Sequence, residues 1–266
     1  MAYTSADLGE YVESLYNAQD FDAAFNAFEK QALKLGFDGV LYSYMPRVIL
    51  DSNFYHEPVY KISSDYSPSY LKHYFEARLD RVDPIVKAIV DGVTEPIDWW
   101  GTTSQKYRDM DKNSEEAVGM SRRYGIANGI TIPTMSEEKG IAGASFVTSE
   151  NKLYTKLKNE NLDKIIFCTK LFHDLVLTHK GYIGHFIKPV VNILNTTEQK
   201  FLGMLALGES PSKIASKLCK SEKYLEQVML KMRRKMSGVE RDEMPNLNRN
   251  QLLYYAGLLN LLEQID

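Results

Sequence analysis

Residues 194–236, LNTTEQKFLGMLALGESPSKIASKLCKSEKYLEQVMLKMRRKM, decide how the chain is organised, because they read as three short helices joined by tight turns. Thr196-x-x-Gln199 has the spacing of a capping box, and the helix it opens carries Phe201, Leu202, Leu205 and Ala206 on one stripe. Gly208 supplies a left-handed stop. Ser210 followed by Pro211 opens a second helix, since a proline at the first helical position forfeits no hydrogen bond, and Ile214, Ala215 and Leu218 form its inner face. Ser221 caps a third helix with Leu225, Met229, Met232 and Met236 as the buried stripe. That leaves Lys223, Tyr224, Gln227 and Lys231 facing outward, in the order of elements of a helix-turn-helix.

Charge is concentrated in the same place. Between Lys213 and Lys235 eight basic residues stand against Glu222 and Glu226, a net +6 in a chain whose total is −3. A cationic helix on an otherwise acidic protein suits phosphate binding, because each neutralised phosphate releases condensed counterions. Lys213, Lys223, Tyr224, Gln227, Lys231 and Arg234 are therefore the candidate contacts to double-stranded DNA.

Working outward, 266 residues suffice for two domains, and 44% hydrophobic with 25% charged residues is the balance of a globular chain. The expected division is a ligand-binding domain over 1–180, a linker over 181–192 where Gly181, Gly184 and Pro189 interrupt the helical pattern, and a DNA-binding domain over 193–266. No run of ~18 apolar residues is present to span a bilayer, and MAYTSADLGEYVESLY lacks a signal pattern, so a cytoplasmic protein without a membrane is expected. Cys168 and Cys219 fall in different expected domains and read as packing residues rather than a disulfide.

The first 180 residues mix the two periodicities. Helices are predicted over 5–19, 20–35, 68–78, 84–92, 114–124 and 159–179, and strands over 39–45, 58–63 and a hairpin of 129–134 with 141–149 around SEEKG. Their alternation gives an α/β sandwich, an antiparallel sheet flanked by helices, followed by a small all-α unit. Tyr66, Tyr70 and Tyr74 recur every four residues along one helical stripe, and Asp83-Pro84 opens the next helix. An aromatic stripe is ordinarily core and Asp before Pro is ordinarily an N-cap, so spacing by itself defines no pocket.

Two stretches resemble one family. Leu194, Glu198, Leu202, Gly208, Ile214, Ala215, Leu218, Ser221, Glu222, Lys223, Leu225 and Met236 match the pattern of the DNA-binding domain of LuxR-type regulators. Cys219, Glu226 and Val228 depart from it, standing where glycine, a basic residue and histidine are usual. Tyr66-x-x-x-Tyr70-x-x-x-Tyr74, Asp83-Pro84-Ile85-Val86, Pro96-Ile97-Asp98-Trp99 and Gly129-Ile130-Thr131-Ile132-Pro133 are similar to the autoinducer-binding domain of the same family. The resemblance implies that Asp83 accepts the amide N–H of an N-acyl-homoserine lactone or analogue, Tyr70 holds the lactone carbonyl, Tyr74 holds the acyl carbonyl and Trp99 walls the ring. Tyr70 departs from the tryptophan usual there, and a phenol accepts as well as donates. Phe146, or its neighbour Ser145, is placed in the pocket, and Tyr42, Tyr44, Tyr55, Ile62, Ile85, Ile89 and Ile132 are candidates for the wall of the acyl tail or, equally, for core.

The implied function is a quorum-sensing transcription factor that answers to an acyl-homoserine lactone. The alternative keeps the fold: a regulator that responds to a non-lactone signal, or that acts by pairing with a related regulator rather than by touching DNA. Homodimerisation is expected because Leu252, Leu253, Ala256, Leu259 and Leu262 put an apolar stripe on the last helix. Catalysis is not expected. The sequence has no Gly-x-Ser-x-Gly elbow, Walker loop, dinucleotide glycine pattern or His-Glu-x-x-His, and its five histidines lack metal-ligand spacing, so neither cofactor nor metal is implied.

Overall fold

A computed structural model of the chain describes residues 5–50, 57–64, 66–137, 139–179, 181–239 and 243–259. It forms two compact units, one of Met1–Tyr44 with Val59–His185, the other of Met45–Pro58 with Phe186–Asp266. Helices α1 (Ser5–Tyr16) and α2 (Phe21–Lys34) lead into strand β1 (Gly39–Pro46), the short helix α3 (Arg47–Leu50) and strand β2 (Tyr60–Ile62). Then come α4 (Pro68–Glu76), α5 (Pro84–Val90), β3 (Ile97–Asp98), α6 (Thr102–Met110) and α7 (Lys112–Arg123). A hairpin of β4 (Asn128–Glu137) and β5 (Gly140–Thr148) precedes the 25-residue helix α8 (Tyr154–Thr178).

The strands make one five-stranded sheet in the order β2-β1-β5-β4-β3. Registers such as Thr131↔Ser145, Ile130↔Phe146 and Tyr42↔Lys61 assign each side chain to a face, because paired residues point the same way. One face carries Tyr42, Ile130 and Phe146 against α2 and α8: Phe28 meets Phe146 edge-on at 5.6 Å and Tyr42 meets Phe172 at 5.0 Å. Phe28 also stacks on Phe172 at 4.8 Å, so this layer is aromatic core. The other face carries Gly129, Thr131 and Ser145, and helix α5 lies against β4 on it, where Ser136 Oγ donates to the Ile89 carbonyl at 2.6 Å. A β-bulge between Pro133 and Met135 shifts the hairpin register by one.

The second unit is helical beyond its first segment. Helix α9 (Gly184–Val191) occupies much of the stretch expected to be a linker, running through Pro189. Burial of Phe186, Ile187, Val190 and Val191 offsets the ladder bond that the proline cannot donate. It is followed by α10 (Thr196–Ala206), α11 (Pro211–Lys217), α12 (Glu222–Ser237) and α13 (Arg249–Leu258). The capping box of α10 lies one residue earlier than its sequence spacing suggested: Asn195 Oδ1 accepts from Glu198 N, and Glu198 Oε2 accepts from Asn195 N. Ser210 and Ser221 cap α11 and α12 as expected. On α12 the buried stripe is Leu225, Val228, Met232 and Met236, with Val228 in the place assigned to Met229, which is half-buried. The apolar stripe of α13 is spent inside its own unit, since Leu252, Ala256 and Leu259 are buried; Leu262 lies outside the described residues. The unit also claims residues 45–50, where α3 touches α13, so its sequence limits differ from the 193–266 span.

Candidate functional site

Asp83 is built into the structure twice. As N-cap of α5 its Oδ1 accepts from Ile85 N at 2.7 Å and from Val86 N at 3.4 Å, with Pro84 at the first helical position. Its Oδ2 accepts from the Tyr74 hydroxyl at 2.7 Å. Three donors hold the carboxylate, yet burial still pushes its pKa up from the ordinary carboxylate value, with those hydrogen bonds working the other way. A carboxylate has about four acceptor positions, so one remains open to a ligand donor.

Four phenols converge on that charge. Ser67 caps α4 by accepting from Tyr70 N, which sets Tyr70 and Tyr74 one above the other on the buried side of the helix, and Tyr66 enters just before it. Ring centroids step 5.8 Å from Tyr66 to Tyr70 and 5.9 Å from Tyr70 to Tyr74. Tyr60, on β2, meets Tyr74 edge-on at 6.4 Å. Burial raises the pKa of Tyr60, Tyr66, Tyr70 and Tyr74; the negative charge of Asp83 adds to it in each, after Tyr66 in the case of Tyr70, so all four stay protonated and able to donate. The Tyr74 hydroxyl already donates its hydrogen bond to Asp83. Tyr66 and Tyr70, each within 4% of full burial, find no hydrogen-bond partner for their hydroxyls among the described residues. They are the free donors of the cluster, and Tyr74 is not, contrary to the carbonyl-holding role implied for it. Beyond Tyr70, Tyr124 packs edge-on at 5.8 Å and its hydroxyl shares a 3.0 Å hydrogen bond with His73 Nδ1.

Trp99 closes a second side. Its indole N–H donates to Thr131 Oγ1 at 2.9 Å, and Thr131 shares a 2.8 Å hydrogen bond with Ser145 Oγ. The ring lies so close over Gly129 that a Cβ there would stand 2.5 Å from Cδ2, which is why the strand carries glycine at that point. Gly39 belongs to the same face, since a Cβ on it would meet Val147, Ser63 and Tyr66. The sheet therefore presents Ser145, not Phe146, toward Trp99. Phe146 and Tyr42 are corrected to core: Phe146 packs on Phe28 and Phe37, and Tyr42 bonds His173 Nδ1 at 2.7 Å on the α8 side. Ile132, sharing parity with Ile130, faces that side too. Ile85 and Ile89 are buried on α5, and Ile62 is half-buried on β2 in register with Leu41. Tyr55 lies outside the described residues. Tyr60, Thr131, His73 and Tyr124 were missed in the sequence; alternation from Ile62 back to Tyr60 was the available signal for the first. A separate groove of about 420 Å³ between α1 and α2, lined by Asp7, Glu10, Tyr11 and Lys34 among others, shares no residue with this cluster.

In the helical unit, α10 and α11 end in the same way. The amides of Gly208 and Glu209 bond back to Leu205 and Met204, and those of Cys219 and Lys220 to Ser216 and Ala215. Gly208 sits at φ +83°, and Cys219, exposed rather than packed, takes the equivalent position at φ +53°. Of the candidate contacts, Lys213, Lys223, Tyr224, Gln227 and Lys231 are exposed and Arg234 is half-buried, its Nε donating to the Glu243 carbonyl at 3.0 Å. Lys220 lies 5.5 Å over the Tyr224 ring. Glu198, 2% exposed, pairs with Lys235 at 2.6 Å and with Lys231 at 3.9 Å, pinning α12 to α10.

Comparison with known proteins bears on both units. The family described as "Autoinducer binding domain" matches residues 20–176. The crystal structure of Escherichia coli SdiA superposes with a TM-score of 0.55 at 15% identity, over 97% of this chain and 98% of that one. SdiA in complex with octanoyl-rac-glycerol gives 0.51 at 16% identity, over 98% of each. The N-acylhomoserine lactone dependent LuxR family transcription factor CepR2 from Burkholderia cenocepacia gives 0.50 at 16% identity, over 67% of this chain and 97% of that one. At these identities the likeness is one of fold. No curated protein sequence matches the chain.

Proposed function

The chain belongs to the autoinducer-binding-domain family, and we propose that it is a quorum-sensing transcriptional regulator that holds an N-acyl-homoserine lactone, or a related lipid-tailed signal, around Asp83 and controls promoter DNA through α12. One observation carries the reading. A buried carboxylate with an open acceptor position faces two buried phenols whose protons are uncommitted, and that set complements a head group with one N–H and two carbonyls. Asp83 takes the amide, Tyr70 and Tyr66 the carbonyls, and Trp99 walls the ring.

The charge-assisted bond to Asp83 contributes about 1.5–3 kcal/mol and each buried tail methylene about 0.8 kcal/mol before ordering costs. A ligand that binds only the folded unit adds about 2.7 kcal/mol to its stability at a hundredfold excess over Kd. The relatives are consistent with this class, one being described as N-acylhomoserine lactone dependent and another as holding an acylglycerol.

DNA binding is supported by three capped helices in succession, the last presenting Lys223, Tyr224, Gln227 and Lys231 to solvent. We further propose a homodimer acting on paired half-sites in the cytoplasm; its support is the helix-turn-helix order, not the α13 stripe, which is buried within its own unit. Two specific observations favour the alternative of pairing with a related regulator: Glu226 is exposed on α12, and Lys231 and Lys235 are engaged by Glu198. A thermal-shift series with acyl-homoserine lactones of graded tail length, followed by gel shifts at two salt concentrations, tests both halves. Stabilisation by at least one lactone and salt-sensitive DNA retention are expected, and Lys223→Ala should flatten the salt slope by about 1. Absence of any retained genomic fragment, with ligand bound, would favour the partner-only role.

A further inference from the structure

We propose that Tyr124, at the carboxyl end of α7, is a positioning residue for the signal's head group: held by His73, it fixes the ring of Tyr70 and so lets the site select head groups whose ring carries a carbonyl. The inference rests on the reading of the Asp83 cluster given above and names the residue on which that selectivity depends.

A donor kept free for a ligand cannot be held in place by a hydrogen bond of its own. Tyr74 is anchored through its hydroxyl to Asp83. Tyr70 has no such anchor, because its hydroxyl finds no partner among the described residues, although the side chain is buried. The terminal torsion of a tyrosine is soft, so the contacts of its ring decide where the hydroxyl points. Tyr66 and Tyr74 flank the ring from its own segment, tilted by 56° and 39°. Tyr124 approaches from a different element, 5.8 Å away with the planes 70° apart, the favoured edge-to-face arrangement.

Tyr124 is itself fixed at both ends. Its backbone closes α7, its N–H bonding to the Ser121 carbonyl at 3.0 Å, and Gly125 at φ +81° turns the chain away. Its hydroxyl shares the 3.0 Å bond with His73 Nδ1. Tyr70 and His73 are three residues apart on α4 and therefore neighbours on the helix surface. Tyr124 bridges them, with its ring against the one and its hydroxyl on the other. Packing alone needs no such polar tip. Once that bond is lost the Tyr124 ring is free to tilt, and Tyr70 loses the wall that aims it. A hydrogen bond weakens steeply with misalignment, so the first interaction to suffer is the one from Tyr70 to the lactone carbonyl.

The test titrates the full chain with N-acyl-homoserine lactones and N-acyl-cyclopentylamides in matched octanoyl and dodecanoyl pairs. The cyclopentylamide keeps the tail, the amide and a five-membered ring but lacks the lactone carbonyl. The parent should bind the lactone more tightly than its partner compound. Tyr124→Phe, which keeps the ring, and His73→Leu should each weaken the lactone about fivefold while moving the cyclopentylamide by less than about twofold. His73→Asn, whose amide reaches about as far as Nδ1, should recover most of the loss. Equal weakening of both compounds, as a merely structural role would give, or no weakening of either, overturns the inference and leaves the Asp83 reading standing. A parent without preference for the lactone overturns the role of Tyr70 and this inference together. A parent that binds neither compound overturns the Asp83 reading and, with it, this one.

Discussion

Replacing Gly129 by alanine should cost about 2–4 kcal/mol, and the value follows from one contact. An ideal Cβ at that position would lie 2.5, 2.6 and 2.8 Å from Cδ2, Cε2 and Cε3 of Trp99, where carbon atoms ordinarily meet at about 3.5–4.0 Å. The ring must retreat by roughly 1 Å. Retreat stretches the 2.9 Å bond from Nε1 to Thr131, so an overpacking cost of about 1–3 kcal/mol is joined by about 1 kcal/mol for the lost hydrogen bond. Alanine in a strand is otherwise the better residue, because glycine loses more backbone freedom on folding, so the sign itself is diagnostic. Urea unfolding gives the stability, and tryptophan emission reports the displaced indole. In a Trp99→Ala background the same substitution should cost under about 1 kcal/mol, a coupling that only contact with the ring produces. A Gly129→Ala variant as stable as the parent, with emission unmoved, would refute the placement of Trp99 over β4.

Asp83→Asn keeps a good N-cap for α5 but removes the charged acceptor, so signal affinity should fall about tenfold or more in a titration. Burial raises the Asp83 carboxyl, so the fold favours its protonated form, a contribution complete below the ordinary carboxylate range and lost as pH climbs through the raised value; relative to the parent, the variant should therefore gain stability as pH rises. Burial pushes His173 down to about 4, so its contribution is present above about 6.5 and is lost as pH falls toward 4, roughly 3 kcal/mol in all. Urea midpoints at neutral and acid pH should show that loss, and His173→Gln should flatten it. Cys219→Gly relieves a left-handed residue at φ +53° and should stabilise the helical unit by about 0.5–1 kcal/mol; an unchanged unfolding midpoint would argue against that backbone.

Local chemistry was the legible part of the sequence. Asp83, Ser210 and Ser221 each cap the helix that follows them, and the hairpin around SEEKG forms where it was expected, because these features are fixed within a few residues. Facing was harder to read. Every residue of β1 is buried, so no polar alternation distinguishes its two sides, and Tyr42 looked as eligible for the ligand face as any neighbour. The choice between Ser145 and Phe146 is a matter of parity that only the register with Thr131 resolves. Tyr60 was hidden because β2 is only three residues long, and the commitment of the Tyr74 proton to Asp83 depends on a contact across nine residues that spacing cannot reveal.

The return of residues 45–50 to the helical unit, with α3 resting on α13, makes the two units interleaved along the chain. Cutting within 181–192 would therefore yield no pair of autonomous pieces, because the amino-terminal fragment would carry away a segment whose neighbours it had left behind. Dissection of this protein by truncation should be designed around that crossing, and a fragment that misbehaves in isolation would speak to a severed partnership before it spoke to any missing signal.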